Sequence, residues 1–264
     1  MASPTGEMTF WDHLDALRGV LLRVAAVMFV AAVGAFIAMP WVFDRFIMGP
    51  CSPDFPLYAL FDRLAASCGV ELDGAAAFRG VEVVSLELAS QFFIHMSASC
   101  WLALVVAFPI IIYLLWGFVA PGLYPQEKRG VRRVFVFGNL MFYIGVAVGY
   151  CLVIPLTVRF LADYRLSESI GAIVSLDSYM DNFFTLLILM GAVFELPVVA
   201  WFLGKAGVLT RGFFSRYRRH AIVALLIVAA LITPTGDPFT LAVVFFPIYA
   251  LWELSAALVP KEKH

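Results

Sequence analysis

The chain has 264 residues, of which 62% are hydrophobic and 14% are charged, and its formal net charge is −1. A soluble domain of this length carries about 25% charged residues, so the composition argues against a soluble enzyme. The net charge by itself says little about partners, and we expect no nucleic-acid partner. The apolar residues form long blocks, whereas a transmembrane barrel needs alternating segments of roughly ten residues. The sequence therefore predicts an all-α membrane protein with several spans.

The first apolar block, residues 20–43, is predicted to be a retained membrane span. Its leader places three acids ahead of the first cation, Arg18. A cleaved signal peptide begins with a cationic region and has a shorter apolar region. We therefore expect this block to stay in the protein as its first membrane helix.

Residues 44–88 form an external cap between the first and second predicted spans. They hold seven acids against three arginines, with Gly-Pro and Ser-Pro turn signals. A short interfacial helix is compatible with residues 57–66, but the composition fits an ordered cap and a loose loop equally well. Cys51 and Cys68 both lie in this segment, and a disulfide between them is an option in an oxidising compartment.

Three further spans are predicted at residues 91–120, 134–158 and 183–204. The first of these exceeds the roughly 20 residues that a bilayer needs, so we expect it to tilt or to kink near Pro109. The next span carries three glycines that permit close helix contact, and it is predicted to end near Pro155. One basic loop joins the first two of these spans and another follows the third, and together they indicate which end of each span faces the cytoplasm.

The last two apolar runs, residues 221–232 and 239–252, are short. At about 1.5 Å per residue the first covers only about 18 Å of a hydrocarbon core about 30 Å thick. The two runs therefore either span a thinned or water-invaded bilayer or form a re-entrant hairpin. In both cases the carboxyl terminus lies on the same side as the first basic loop, residues 118–133.

The distribution of positive charge determines the predicted orientation. With the amino terminus inside, the inner segments hold two arginines near the start, four cations in the loop at 118–133, five in the loop at 205–220 and two at the tail, which gives 13 against five outside. Short cationic loops stay in the cytoplasm. We therefore expect one polytopic domain, residues 1–264, with six spans and both termini on the inner side of the cytoplasmic membrane.

Glu195 is the most informative single residue, because apolar residues flank it for about two turns on each side. A carboxylate near the middle of a membrane costs about 2.5–3.5 kcal/mol on insertion scales, so it is expected to avoid lipid. It either makes a structural hydrogen bond to a neighbouring helix or forms a polar hole that draws in water or a partner. Asp237 is predicted either to cap the last helix or to contribute to that polar hole.

Five stretches of the sequence, taken together, resemble the TatC family, the multispanning receptor subunit of the twin-arginine protein translocase. In chain order they are FWDHLDALRGVLLR, WGFVAPGLYPQEKR, FYIGVAVGY, FELPVV and ITPTGDPFT. The resemblance implies a glove-shaped fold of six helices that receives folded cargo whose amino-terminal signal carries paired arginines. It also implies single-span partner subunits of the TatA and TatB type, self-association, and export driven by the proton gradient.

The resemblance assigns roles to individual residues. A glutamate in the family's first cytoplasmic loop contacts the signal arginines, and Glu127 matches it. The intramembrane glutamate and the outer-turn aspartate of the family match Glu195 and Asp237. The pattern around Glu127 is matched by Phe118, Pro121, Leu123 and Tyr124. The chemistry of the two groups agrees with the assignment of Glu127. A guanidinium has two parallel N–H donors in one plane, and a carboxylate accepts them with its two oxygens. The ammonium group of lysine has no such planar pair of donors.

One position departs from the family pattern. The family motif resembles HLxELR, whereas this chain has HLDALR, so Ala16 stands where a second arginine-binding carboxylate is expected. Asp15 is adjacent, but one helical step rotates a side chain by about 100°. Either Asp15 reaches the signal peptide from another angle, or Glu127 acts with less help.

Two other functions fit the sequence less well. A proton-coupled transporter of small solutes would use Glu195 as its proton carrier, but such folds show internal repeats with paired broken helices, and only one short pair is visible. An intramembrane enzyme would need a nucleophile with a base, or a metal, and the sequence contains no phosphate-binding loop, metal-ligand spacing or nucleophile motif. We therefore expect no enzymatic activity, no metal and no cofactor.

Overall fold

Helices account for almost all of the computed structural model, which describes residues 10–67, 82–119, 125–163, 173–205, 207–233 and 237–259. Two short strands, β1 (Val83–Val84) and β2 (Val174–Ser175), pair in parallel. The α-helices in chain order are α1 Phe10–Val42, α2 Pro56–Ser67, α3 Ser90–Val119, α4 Pro125–Val148, α5 Ile154–Asp163, α6 Leu176–Val193, α7 Leu196–Lys205, α8 Arg211–Arg216, α9 Arg218–Ile232 and α10 Pro238–Leu258.

Several of the helical stretches are suited to crossing a membrane. Within the described ranges, five are long and apolar enough: Leu14–Leu60, Ser90–Phe118, Phe135–Ala162, Leu176–Lys205 and Pro238–Leu258. The fifth apolar run of the sequence forms α9, whose 15 residues reach only about 22 Å. The predicted all-α membrane architecture is confirmed, whereas the count of six spans stays a prediction.

The hydrophobic core is organised around α6. This helix contacts α3, α4 and both strands, and its side chains Met180, Leu186 and Met190 are buried. α1 packs along α3 on one side, and α10 packs along α7 and α9 on the other. The outer surface of α1 is apolar and exposed, as at Phe29 and Ile37, which suits side chains that contact lipid rather than water.

Glycines bring α4 and α6 into direct backbone contact. A Cβ at Gly145 would lie 2.6 Å from the carbonyl oxygen of Met190, and a Cβ at Gly191 would lie 2.7 Å from the ring of Phe142. No larger residue fits at either position unless a helix moves. The close helix contact that the glycines of the third span predicted is therefore confirmed at Gly145.

A proline in α1 deprives a backbone carbonyl of its usual donor, and α3 supplies a replacement. Pro40 has no N–H to offer the carbonyl of Phe36 four residues earlier. Nε2 of His95 lies 2.9 Å from that oxygen, and the His95 ring stacks on the Phe36 ring with centroids 3.9 Å apart. His95 of α3 therefore supplies the hydrogen bond to the Phe36 carbonyl that Pro40 cannot donate.

The same exchange of donors occurs between α3 and α4. Pro109 cannot donate to the carbonyl of Val105, and the hydroxyl of Tyr143 donates to it at 3.1 Å. An unsatisfied backbone group in the hydrocarbon region costs several kcal/mol, so a donor from the neighbouring helix stabilises a helix that contains a proline.

Replacing Tyr143 with phenylalanine removes that donor, and we expect the free energy of unfolding to fall by about 0.5–2 kcal/mol. In a Pro109→Ala background the N–H of residue 109 serves the Val105 carbonyl, so the same change should cost little. A double-mutant cycle measured by reversible unfolding in detergent micelles checks this coupling. An equal cost of Tyr143→Phe in both backgrounds would contradict the exchange of donors.

The outer cap is ordered in the part of the chain that the structure describes. α1 continues into a π-helical turn at Phe43–Ile47 and a 3-10 turn at Gly49–Cys51, and α2 covers the segment where the sequence is compatible with a short helix. Cys51 is a buried, free thiol, so the disulfide considered above is not formed, and Cys68 lies outside the described residues. Ser90 donates to Asp177 at 2.5 Å and so joins the start of α3 to the start of α6.

Tyrosine hydroxyls determine the path of these cap turns. Each of three tyrosines donates to a cap carbonyl: Tyr150 to Phe46 at 3.0 Å, Tyr58 to Pro50 at 2.7 Å, and Tyr179 to Ile47. The first and last of these bonds join residues 104 and 132 positions apart in the chain. Whether the cap is ordered therefore depends on residues remote from it in sequence.

The third membrane segment ends later than predicted. The sequence predicts an end near Pro155, but the helix continues as α5 to Asp163 after a π-helical turn at Gly149–Val153. Pro155 is the second residue of α5, directly after the point where the π-helical turn gives way to the α-helix. The proline thus marks a change of helix geometry rather than a helix end.

The last helix is also longer than its apolar run. The sequence predicts residues 239–252, whereas α10 has 21 residues and ends at Leu258. Glu253, the charge that follows the apolar run, forms an ion pair with Arg218 of α9. The helix therefore continues past its first charged residue, and its length is about 31 Å.

Candidate functional site

The inner ends of α1, α3 and α4 carry the residues predicted to bind the signal peptide. α3 ends at Val119 and α4 begins at Pro125, so five residues connect them. Phe118, the next-to-last residue of α3, is partly buried. Pro125 occupies the first position of α4, where a missing N–H is harmless, and Glu127 follows in the same first turn.

Among the predicted signal-binding residues, the structure describes the side chains of Asp15 and Phe118. The side chain of Glu127 lies outside the described residues, as do Pro121, Leu123 and Tyr124. The backbone position of Glu127 is still informative, because the first turn of a helix has unpaired N–H groups and a partial positive charge that favour a carboxylate. The role of these residues stays a prediction.

Counting along ideal helices assigns Asp15 and Phe118 to nearly the same level at the inner end of the molecule. The contact between Phe36 and His95 fixes the register of the antiparallel helices α1 and α3. Moving 21 residues from this contact towards the inner face reaches Asp15 on one helix and Trp116 on the other, about 31 Å away in each case. Asp15 is exposed, so its carboxylate is accessible from the inner face.

Glu195 lies at a break in the fourth span rather than inside a continuous helix. α6 ends at Val193 and α7 begins at Leu196, and Pro197 cannot donate to the carbonyl of Val193. The Glu195 side chain turns towards α4, where a Cβ at Gly138 would lie 3.1 Å from its Oε2. Gly138 therefore provides the space in which the carboxylate lies.

The polar atoms around Glu195 are not fully satisfied. In the described structure, Oε1 of Glu195 and the side-chain oxygen of Asn139 are both buried without a hydrogen-bond partner. The amide nitrogen of Asn139 donates to the carbonyl of Phe135 at 2.8 Å. Buried acceptors of this kind are costly and usually indicate a missing water or partner. Each of the two unpaired acceptors therefore indicates a place where a bound water or a partner would donate a hydrogen bond.

Asp237 caps the last helix. Its Oδ1 accepts from the backbone N–H of Thr240 at 2.7 Å, so the capping interpretation is confirmed and a role in a polar cavity stays a prediction. Ala200 of α7 and Trp252 of α10 belong to one packed cluster. At about 1.5 Å per residue, Glu195 lies about 8 Å from Ala200 along α7, and Asp237 lies about 22 Å from Trp252 along α10. On ideal helices the two carboxylates therefore differ in depth by about 15 Å. Within the described ranges no group of three His, Cys, Asp or Glu residues is arranged to hold a metal ion.

An ion pair between α9 and α10 was not indicated by the sequence. Arg218 donates to both carboxylate oxygens of Glu253, at 2.7 and 2.6 Å. These hydrogen bonds and the negative charge of Glu253 raise the pKa of Arg218 above its ordinary value. An exposed pair of this kind contributes little to stability, but it fixes the inner end of α10 against α9. Since 35 residues separate the partners, no local pattern could have revealed the pair.

Comparisons with known proteins agree on one family. The family model described as Sec-independent protein translocase protein (TatC) matches residues 12–247. The chain is 29% identical over 256 residues to the Sec-independent protein translocase protein TatC of Blattabacterium sp. subsp. Periplaneta americana, covering 97% of this chain and 96% of that protein. It is 32% identical over 246 residues to the TatC protein of Desulforapulum autotrophicum, covering 93% and 82% of the two chains.

The fold has solved counterparts as well. A crystal structure of the twin arginine translocase receptor TatC in DDM superposes on this chain with a TM-score of 0.75 and 26% sequence identity, covering 94% of this chain and 99% of the other. A second crystal structure of the same receptor gives a TM-score of 0.69 at 27% identity. The similarity in fold therefore extends over nearly the whole chain.

Proposed function

The chain belongs to the TatC family of Sec-independent protein translocase proteins, and from this premise we propose how it acts. TatC proteins are multi-pass receptor subunits of the inner membrane that act with other subunits of the translocase, and they are not enzymes. We propose that this chain binds the paired arginines of signal peptides on folded cargo at the cytoplasmic face. We further propose that it assembles with single-span TatA- and TatB-type subunits and with copies of itself for export driven by the proton gradient.

The observation that carries the signal-binding proposal is the grouping of residues at the inner ends of α1, α3 and α4. Asp15 is exposed there, and Phe118 lies within a few residues of the same level. Glu127 follows in the first turn of α4, after a connection of only five residues. Asp15, Phe118 and the first turn of α4 are thereby assigned to one end of the molecule, and we propose that a peptide in the cytoplasm binds there.

The chemistry of paired arginines suits this grouping. A carboxylate accepts two parallel N–H bonds from one guanidinium, so Glu127 binds one arginine with both oxygens. Asp15 approaches the second arginine from α1 and compensates for Ala16. Aromatic faces attract guanidinium groups, which gives Phe118 and Tyr124 a role beside the carboxylates, and Pro121 and Leu123 shape the connection that holds them. Lysine lacks the planar fork and so binds less well.

The partner-binding proposal depends on the region of Glu195. Its Oε1 and the side-chain oxygen of Asn139 are buried acceptors without a donor in the described structure. A single-span helix that presents a hydroxyl, an amide or a protonated group at this depth satisfies them, and interhelical hydrogen bonds of this kind stabilise association in membranes. Asp237 contributes indirectly, because its cap fixes the outer end of α10.

Site-specific photo-crosslinking tests the signal-binding proposal. A crosslinking amino acid at position 15, 118 or 127 is expected to react with a signal peptide bearing Arg-Arg and to lose most of that product with the Lys-Lys peptide. Position 29 is the matched control, because Phe29 is 70% exposed on the lipid-facing part of the same helix as Asp15. Crosslinks at position 15 that depend on arginine would show that Asp15 takes part.

A different result would redirect the function. Equal crosslinking to both peptides, or reaction at position 29 as strong as at position 127, would contradict arginine recognition at this face. A proton-coupled transporter of small solutes that uses Glu195 would then be the better interpretation, since the unpartnered carboxylate would remain to be explained.

A further inference from the structure

A groove of about 890 Å³ opens on the outer side of the molecule, away from the sites proposed above. It lies between the turns that follow α1, the start of α2 and the residues just after α4. Its base is aromatic and apolar, with Phe46, Phe55, Leu60 and Tyr150 among the lining residues, and its rim is charged. The groove is therefore amphipathic, with distinct polar and apolar parts.

The base of the groove is rigid. The hydroxyl of Tyr150 donates to the carbonyl of Phe46 at 3.0 Å, and the Phe55 ring meets the Tyr150 ring edge-on with centroids 5.7 Å apart. Gly49 lies beside both rings, and a Cβ there would be 3.2 Å from the Tyr150 hydroxyl oxygen. The absence of a side chain at Gly49 therefore lets the two rings pack against the backbone of this turn.

The rim carries one positive and two negative side chains. Asp44, Arg45 and Asp54 all line the groove and are exposed. In the part of the chain that the structure describes, none of the three forms an ion pair with another residue. A guanidinium and two carboxylates are therefore free to bind a ligand that carries both signs of charge.

The groove lies at the level where a membrane meets water. The apolar helix α1 ends at Val42, and Trp41 just before its end is 64% exposed. Exposed tryptophan is typical of the interface between the hydrocarbon and the headgroups. The Trp41 ring also contacts the Phe46 ring of the groove, with centroids 5.5 Å apart. A molecule in the groove therefore has its polar part at headgroup depth.

We propose that this groove binds a phospholipid whose headgroup joins a phosphate to a primary ammonium, that is, phosphatidylethanolamine of the outer leaflet. Arg45 binds the phosphate, Asp44 and Asp54 accept N–H bonds from the ammonium, and the glycerol and upper acyl chain lie on Phe46, Phe55 and Leu60. The bound lipid anchors the cap to the membrane at the end of α1.

The charge pattern selects this lipid over others. An anionic phospholipid such as phosphatidylglycerol satisfies Arg45 with its phosphate but has no positive charge for Asp44 and Asp54, which stay unpaired. A quaternary ammonium headgroup balances the charge but has no N–H to donate to Asp44 and Asp54. A soluble phosphoethanolamine has the right charges but no acyl chain to cover the aromatic base. Only a lipid with a primary ammonium uses all parts of the groove.

Native mass spectrometry of the full chain in non-ionic detergent tests the proposal. The protein is titrated with phosphatidylethanolamine, phosphatidylcholine and phosphatidylglycerol of identical acyl chains, and the dissociation constants are compared. Losing a charge-assisted hydrogen bond should weaken binding of phosphatidylethanolamine about tenfold in Arg45→Gln and in the double variant Asp44→Asn, Asp54→Asn. The acidic double variant should also lose the preference over phosphatidylglycerol.

Two further variants separate the groove from the general lipid surface. Leu60→Trp fills the apolar part without changing any charge and should reduce binding, whereas Arg211→Gln removes an exposed arginine on the inner side and should not. Equal affinity of all three lipids, or unchanged binding in the rim variants, would mean annular lipid only and would overturn the proposal. Displacement of the lipid by soluble phosphoethanolamine at equal concentration would overturn it in favour of a soluble ligand.

Discussion

Replacing Glu127 with alanine is expected to abolish export of a reporter protein that carries an Arg-Arg signal, while the variant inserts into the membrane at the wild-type level. The physical reason is the loss of two charge-assisted hydrogen bonds to one guanidinium. Bonds of this kind contribute about 1.5–3 kcal/mol each, so affinity for the signal peptide should fall about 100-fold or more. Neither the helix nor its membrane insertion should depend on this carboxylate.

The measurement combines export of the reporter with the affinity of the purified chain for the signal peptide. Gln126→Ala is the matched control, because it truncates the neighbouring side chain in the same helical turn and leaves the charge unchanged. Glu127→Asp keeps the carboxylate but shortens its reach, and partial export by that variant would support direct contact. Normal export by Glu127→Ala would remove the main residue from the proposed signal-binding site.

Replacing Glu195 with alanine is expected to leave signal-peptide affinity unchanged but to weaken export and the association of single-span partners by about 3- to 30-fold. The stability of the isolated chain should not fall. Oε1 has no hydrogen-bond partner among the described residues, so its removal breaks no bond at that atom and eliminates the cost of a buried carboxylate. If Glu195 had a purely structural role, its replacement would lower the stability of the chain and leave partner association intact.

Three readouts distinguish these possibilities for Glu195: unfolding of the purified chain, co-purification of the partner subunits, and signal-peptide affinity. Leu196→Ala serves as the control, because Leu196 is the adjacent side chain and is 40% exposed on the surface of the same break. Lower stability together with intact partner association would assign Glu195 a structural role. Loss of signal-peptide binding would contradict the separation between the inner-face site and the intramembrane site.

Local patterns predicted several features correctly. The apolar blocks predicted the membrane helices, because each membrane helix satisfies its own backbone groups and its insertion depends on its own composition. The cap of α10 by Asp237 was among the predicted options, since an N-cap bonds a backbone group three residues away. The close contact at Gly145 followed from the absence of a side chain. The candidate signal-binding residues came from the resemblance to a family, not from composition or spacing.

The sequence by itself determined the class of the protein, the positions of its apolar helices and the basic loops that orient it, because these depend on composition over short segments. Only the tertiary structure decided that the described part of the cap is ordered, that the helices continue past Pro155 and Glu253, and that Oε1 of Glu195 has no hydrogen-bond partner among the described residues. These features depend on bonds such as those from Tyr150 to Phe46 and from Arg218 to Glu253, whose partners are 104 and 35 residues apart. A contact between distant residues forms only when the helices pack, so no window of sequence contains the information that specifies it.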